Sequence, residues 1–351
     1  MTSGNRICQV AFSVLDVRRA DEWFRVGLGL IPAGGTRSFR GPLAEHVQGL
    51  RRAASTCWWL VGRDDFVQLE LFQFERPAPR PRAADATPAD LGYSRVGFWV
   101  TDLDATLARL ARLGSVPLAP VRGDRGDRRV ALRAPDGFVV VLFERDPHPG
   151  RPTAVRPEAP AAPRTVTLSV ESLDAAVDSF VEGFGLTRSA VRLHDDGDEA
   201  LWGLDGARRR TAVLEAGDLL LELVEYESPR GRPRAADYRI SDQGILNVAL
   251  GFRGPLTFTR TYRRATARGG RPNGYPLHAG TWGVTYVNDP QGVSVELLWV
   301  HPIWDSQLGL APAPEAPRPP PEREAQGPIR GALERLLEAA PSLPGGGPRR
   351  G

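Results

Sequence analysis

An internal repeat constrains the fold of this chain more than any other sequence feature. Two apolar strands and the loop between them recur at a fixed offset of 152 residues. The repeated pairs are residues 67–72 and 219–224, Pro81–Asp85 and Pro233–Asp237 (both Pro-Arg-Ala-Ala-Asp), and residues 92–98 and 244–250. A repeat of this length indicates two similar domains rather than one large domain.

Composition fits two globular domains and argues against several functions. The chain has 351 residues, and its 45 basic residues are all Arg, scattered and nearly balanced by 42 acidic residues, so we expect no nucleic-acid binding. No apolar run approaches the roughly 20 residues of a membrane span, so we expect no membrane partner. Cys8 and Cys57 have no metal-type spacing and read as reduced, buried thiols of a cytoplasmic protein.

The sequence of each half predicts two smaller β-α-β-β-β units. In every unit an alternating strand leads into an amphipathic helix, which starts near Asp16, Asp102, Ser172 or Pro255. Each unit then ends with a strongly apolar strand, at residues 67–72, 138–143, 219–224 and 293–300. The pattern predicts an α+β protein with curved mixed sheets and helices outside.

The predicted domains follow these units. We expect an N-terminal domain over residues 1–147, a Pro- and Ala-rich linker over 148–163 and a C-terminal domain over 164–303. Residues 304–351 read as a Pro-rich tail that contains a short helix at 329–340.

The four units resemble the vicinal oxygen chelate (VOC) superfamily, which contains glyoxalase I, bleomycin-resistance and extradiol-dioxygenase proteins. The resemblance is carried by the strand-Asp-helix-Gly-Leu pattern of residues 14–30, its copy at 170–186, and the Asp-Pro-x-Gly turn at 289–292. It implies two tandem VOC domains, each with a cup formed by two units. Because such folds host both enzymes and binding proteins, the fold alone does not give the chemistry.

The resemblance also implies where a metal would bind. In this superfamily the first strand of a unit often carries a ligand His and the last strand a ligand Glu. The matching first-strand positions hold Gln9, Arg95, Thr165 and Asn247, and the last-strand positions hold Glu70, Val141, Glu222 and Glu296. None of the first-strand positions carries His.

The N-terminal domain is predicted to have a degenerate cup. We expect Arg95 to pair with Glu70 and to replace a metal ion, because a buried carboxylate needs a cation or a proton. Gln9, Glu70 and Arg95 are then candidate substrate contacts, with Arg95 suited to an anionic ligand.

The C-terminal domain keeps more of the oxygen ligands. Glu222, Asn247 and Glu296 form the candidate metal set, and two carboxylates with one amide oxygen suit a hard divalent ion. The alternative interpretation is that these Glu side chains bond to neighbouring Arg, Tyr or Trp groups.

The stretch from His278 to Glu296 is similar to a motif of extradiol dioxygenases. The resemblance implies that His278 acts as an acid or base. Tyr286 would orient a substrate oxygen, and Glu296 would bind the metal. The alternative is that His278 lies on a surface loop and Tyr286 packs in a strand.

Three functions remain open at this point. The first is a divalent-metal-dependent enzyme acting on an aromatic or oxygenated metabolite, extradiol dioxygenase-like or glyoxalase-like. The second is a metal-free protein that sequesters a small molecule, as bleomycin-resistance relatives do. The third is an interaction protein that works through its tail. The expected partners are a small-molecule ligand and, as an open alternative, a second copy of the chain.

Overall fold

A computed structural model describes residues 5–148, 155–316 and 318–319. The strands are β1 Arg6–Ser13, β2 Ile31–Arg40, β3 Ala54–Val61, β4 Gln68–Arg76, β5 Gly92–Val100, β6 Arg129–Arg133, β7 Val139–Phe143, β8 Ala161–Ser169, β9 Thr187–Arg188, β10 Arg208–Ala216, β11 Leu219–Ser228, β12 Gly244–Phe252, β13 Arg271–Pro272, β14 Leu277–His278, β15 Trp282–Asn288 and β16 Ser294–Val300. The α-helices are α1 Val17–Glu22, α2 Pro42–Gln48, α3 Leu103–Arg112, α4 Leu173–Asp178 and α5 Pro255–Ala267. Helices α1 and α4 each continue into one π-helical turn, Trp23–Gly27 and Ser179–Gly183.

The predicted helix starts are confirmed. The carboxylate of Asp16 accepts from the backbone N–H groups of Arg18 and Arg19. Asp102 and Ser172 likewise accept from the N–H three residues on, while Pro255 occupies the first turn of α5. These caps satisfy N–H groups that a helix leaves unpaired at its start.

The strands form two mixed sheets. Sheet 1 has the order β13-β15-β16-β12-β1-β4-β3-β2, with β14 paired to β15, and sheet 2 has the order β6-β7-β5-β8-β11-β10-β9. In sheet 1, β1 of the first unit pairs antiparallel with β12 of the fourth. In sheet 2, β5 of the second unit pairs antiparallel with β8 of the third.

This pairing differs from the one expected from chain order. We expected units one and two to share a cup, and units three and four to share another, whereas each sheet takes one unit from each half. All four units open with a similar strand, so the sequence pattern offers β1 several equivalent partners. The preference for neighbours in sequence is only a tendency.

A common core lies between the two sheets and the helices. Phe12, Phe24 and Phe138 stack there, and Val166 and Val248 are also fully or almost fully buried. Side chains alternate along a strand, so the intervening residues of each sheet point to its other face. We call this other face cup 1 in sheet 1 and cup 2 in sheet 2.

The two copies of the repeated loop clamp each other. Arg80 of the first copy binds Asp237 and Asp242 of the second at 2.6 and 2.5 Å. Arg232 of the second copy binds Asp85 and Asp90 of the first at 2.7 and 2.8 Å. Each loop carries the chain from one sheet to the other, so these reciprocal ion pairs hold the two crossings side by side.

Residues 301–316 form a strap that follows β16 and packs on sheet 1. Trp304 donates to Thr281 Oγ1 at 2.8 Å, and the N–H of Ala313 donates to the carbonyl of Pro32 on β2 at 2.7 Å. The start of the predicted tail therefore lies against the sheet. The predicted helix at 329–340 and residues 149–154 of the predicted linker lie outside the described residues, and the last residues of the predicted linker belong to β8. No helix among the described residues is long and apolar enough to cross a membrane.

Because each sheet draws on both halves, we expect that neither half folds alone. Residues 1–152 expressed without the rest would expose the edges of β1 and β5, which are free to pair with other chains. Size-exclusion chromatography with light scattering should therefore find dimers or larger species. A monomeric half with a cooperative unfolding transition would contradict this topology.

Candidate functional site

Strand register brings four predicted ligand positions into cup 1. Gln9 lies opposite Gln68, and Ala11 lies opposite both Glu70 and Asn247. Ala249, two residues after Asn247, lies opposite Glu296. Gln9, Glu70, Asn247 and Glu296 therefore share one face, and each is at most 5% exposed.

Glu70 and Glu296 are two buried carboxyl groups with no Arg partner in the described structure. Glu70 Oε1 accepts from Trp59 Nε1 at 2.9 Å and from Cys57 Sγ at 3.1 Å. Tyr286, opposite Glu296 on β15, hydrogen-bonds to Glu296 through its hydroxyl. These neutral donors do not cancel two buried negative charges.

The Gln9 amide lies between the two carboxyl groups. Gln9 Nε2 donates to Glu70 Oε2 and lies 3.4 Å from Glu296 Oε2. The Gln9 oxygen faces the amide of Gln68 at 2.8 Å. Gln9 therefore gives the pair one more neutral donor and no positive charge.

Two buried carboxyl groups bridged by one neutral amide require a cation or a proton between them. Burial raises the pKa of Glu70 to about 7, against an ordinary value of 4.5. Burial and then the charge of Glu70 raise the pKa of Glu296 well above its usual range. Without a cation, the pair therefore holds at least one proton near neutral pH.

Asn247 completes the group. Neither its amide oxygen nor its amide nitrogen has a hydrogen-bond partner of normal geometry among the described residues, although the Tyr286 hydroxyl lies beside it. An unsatisfied buried amide is costly, so its oxygen is available as a ligand.

The strap closes cup 1. Leu310 and Trp304 are almost fully buried on this face, beside Cys8 and Phe66. Gly309 lies directly on the Trp59 ring, where a Cβ atom would come within 2.3 Å of it. The strap therefore shields the Glu70 and Glu296 carboxyl groups from solvent.

In cup 2 the buried carboxylate has a charged partner. The equivalent positions are Thr165, Glu222, Arg95 and Val141. Arg95 Nη2 donates to Glu222 Oε2 at 2.9 Å, Thr167 Oγ1 donates to the same oxygen at 2.8 Å, and Arg95 Nη1 donates to the Tyr226 hydroxyl at 2.9 Å.

Cup 2 also places a histidine beside Glu222. His194 Nε2 lies 3.8 Å from Glu222 Oε2, and Nδ1 lies 3.8 Å from Asp198 Oδ2. Burial alone would raise the pKa of Glu222, but the charges of His194 and Arg95 more than offset burial, so its pKa lies below the usual value. Glu222 is therefore ionised at neutral pH.

Comparison with known proteins agrees with this architecture. Residues 8–132 match the sequence model of the Glyoxalase/Bleomycin resistance protein/Dioxygenase superfamily. No curated protein matches the sequence.

Solved structures extend the likeness to the whole chain. A "putative dioxygenase" from Bacillus subtilis is 13% identical, with a TM-score of 0.62, over 96% of this chain and 96% of that chain. Glyoxalase I from Zea mays is 16% identical, with a TM-score of 0.56, over 84% of this chain and 92% of that chain. At such identities the likeness establishes the fold and not the activity.

The predicted three-residue metal set does not assemble. Asn247 and Glu296 lie in cup 1 with Gln9 and Glu70, whereas Glu222 lies in cup 2, because the units pair across the two halves. For the same reason Arg95 pairs with Glu222 and not with Glu70. The described residues contain no group of three or more His, Cys, Asp or Glu side chains that could hold a metal ion.

The structure does not bring the two predicted acid–base residues together. Tyr286 joins cup 1, next to Glu296 and Asn247. His278 is exposed on β14, and its ring packs against Phe258 of α5, away from the carboxyl groups. The resemblance to the motif did not determine which side of the strand His278 occupies.

Sequence reasoning missed His194 and the groups around it. None of these residues is among the candidates taken from the sequence, yet His194, Asp198 and Glu199 are all at most 5% exposed. Asp198 binds Arg129 at 2.8 Å, and Glu199 binds Arg209. The only sequence signal was the density of charge near Arg208–Arg210.

The acid pair in cup 1 predicts how stability depends on pH. The pKa of Glu70 rises from 4.5 to about 7 on folding. Between these pH values the folded state therefore binds more protons than the unfolded state, so the free energy of unfolding falls as the pH rises. In EDTA the free energy of unfolding should fall by roughly 3 kcal/mol between about pH 5 and pH 8. Glu70→Gln should flatten the dependence, and the exposed Glu75→Gln should not. Equal slopes for wild type and Glu70→Gln would contradict this assignment.

The buried ion pair in cup 2 predicts strong coupling between its partners. Arg95→Met leaves Glu222 charged and unpaired, at a cost of about 3–5 kcal/mol. The double variant Arg95→Met/Glu222→Leu removes both charges and should recover at least half of that loss in urea titrations. Additive losses in the double variant would mean that the pair is not coupled.

Proposed function

We propose that cup 1 binds one hard divalent cation through oxygens of Glu70, Asn247 and Glu296, beside the Gln9 amide, and that the protein acts on an oxygenated small molecule at this site. The observation that carries the proposal is the pair of buried carboxyl groups, Glu70 and Glu296, beside the Asn247 amide, whose atoms have no hydrogen-bond partner of normal geometry among the described residues. A cation would remove the repulsion among these oxygens and the need for a bound proton.

The donor set suits some metals better than others. Carboxylate and amide oxygens favour Mg²⁺, Mn²⁺ or Ca²⁺, whereas iron and zinc enzymes usually use imidazole or thiolate ligands. No His approaches these four side chains in the described part of the chain. The proposal therefore favours glyoxalase-like chemistry, in which protons move, over extradiol-type activation of dioxygen.

The chain's own residues have separate tasks in this proposal. Burial, followed by the charges of Glu296 and Glu70, raises the pKa of Tyr286 well above its usual value, so the hydroxyl stays protonated and can donate to a substrate oxygen. The strap keeps bulk water from the carboxyl groups, and a substrate enters when the strap lifts. A bound divalent ion would supply polarisation of the substrate oxygen.

A metal-free binding protein is the second candidate. Glu70 and Glu296 can share a proton instead of a metal, and the strap already closes the cup over them. In that case the protein would hold a small molecule without turning it over. Both sheets are completed within one chain, so neither function needs the homodimer. The two buried Cys residues form no disulfide, which supports a cytoplasmic location.

Metal titration separates the two candidates. At pH 7.5 after EDTA treatment, Mg²⁺ or Mn²⁺ should bind at one site per chain in isothermal titration calorimetry and raise the melting temperature. Glu70→Gln and Glu296→Gln should each weaken binding by at least about tenfold, which is the usual range for losing a ligand or its support.

Glu222→Gln is the matched control, because it changes the equivalent carboxylate of cup 2 and should leave metal affinity unchanged. Wild-type protein that binds none of Mg²⁺, Mn²⁺, Ca²⁺ and Zn²⁺ would overturn the metal proposal in favour of the second candidate.

A further inference from the structure

Cup 2 opens into a cavity that the proposed function of cup 1 does not use. Its volume is about 440 Å³, within the range of small-molecule sites. The cavity lies at the β9 edge of sheet 2, under the loop that follows β9. Its apolar wall consists of Val191, Leu193, Ala212 and Val213.

The floor of the cavity offers a hydrogen-bond acceptor. Glu222 lines it, and Arg95 and Thr167 both bind its Oε2, which fixes the carboxylate in place. His194 lines the same floor with its side chain 98% buried, and neither ring nitrogen lies closer than 3.8 Å to a carboxylate. A ligand group that donates a hydrogen bond therefore meets Glu222 and His194.

The opposite wall offers guanidinium donors. Arg209 uses Nε to bind Glu199, but its Nη2 is buried without a partner. Arg188 also lines the cavity, and its side chain makes no hydrogen bond or ion pair to any described residue. Arg192, the third arginine here, is occupied by Asp196 at 3.1 Å.

We propose that cup 2 is a second binding site, for a small carboxylate that carries a hydroxyl or amino group at its other end. The carboxylate binds Arg188 and Arg209, and the hydroxyl or amino group donates to Glu222 beside His194. The aliphatic wall between the two ends holds the carbon frame. A ligand without the carboxylate would leave the two Arg side chains without an anionic partner. A ligand without the hydroxyl or amino group would leave Glu222 without that donor.

This site is independent of the cation in cup 1. The two cups lie on different sheets and share none of these residues. Binding in cup 2 is therefore expected to be the same in EDTA and in Glu296→Gln, so failure of one proposal does not imply failure of the other.

Three matched probes test the ligand chemistry by calorimetry on the full chain. 4-Hydroxyphenylacetate has a carboxylate and a hydroxyl group, phenylacetate has only the carboxylate, and tyrosol has only hydroxyl groups. We expect 4-hydroxyphenylacetate to bind about tenfold more tightly than phenylacetate or tyrosol, which is the gain expected from one charge-assisted hydrogen bond. Its affinity should fall as NaCl is raised.

Arg188→Gln tests the anion contact on an exposed side chain. It should weaken both carboxylate probes about tenfold and leave tyrosol unchanged. Arg208→Gln, an exposed arginine on β10 that does not line the cavity, is the control and should change nothing. The proposal is overturned if no probe binds at 10 mM (roughly the weakest range that calorimetry follows), if all three bind equally, or if the two variants behave alike.

Discussion

Antiparallel pairing between strands far apart in sequence decides the rest of this structure. β1 pairs with β12, and β5 pairs with β8, so each sheet contains one unit from each half. The side chains of both cups are consequently assembled from residues about 240 and 130 positions apart, as in Gln9 with Asn247 and Arg95 with Glu222. Any change that weakens these strand pairs would disturb the fold and both candidate sites together.

A buried carboxylate needs a partner, and the two cups meet this need in opposite ways. In cup 2, Arg95 supplies a fixed positive charge, so Glu222 stays ionised and the space above it is left for a ligand. In cup 1, Asn247 stands where Arg95 stands in the repeat, and Glu70 and Glu296 are left with a proton or a cation. Together with Glu296 in place of Val141, this difference within a repeated framework separates two kinds of chemistry.

Local features of the fold were predictable from sequence, and long-range ones were not. Helix starts such as Asp16 and Ser172 depend on neighbouring residues, and the four apolar strands follow from their composition. Which carboxylates share a cup depends on strand partners, which four similar units leave undetermined. His194 was missed because its burial depends on Trp202 and Phe143, which come from other segments.

The reciprocal loop clamp has an evolutionary consequence. Arg80 binds Asp237 and Arg232 binds Asp85, so the Arg of each copy of the loop binds the equivalent Asp of the other copy. Two separate chains, each with a single copy, would make the same contacts across a twofold axis, and their two cups would be identical by symmetry. Fusing the copies into one polypeptide removes that identity. Only then can one cup acquire an arginine while the other keeps its acids unpaired.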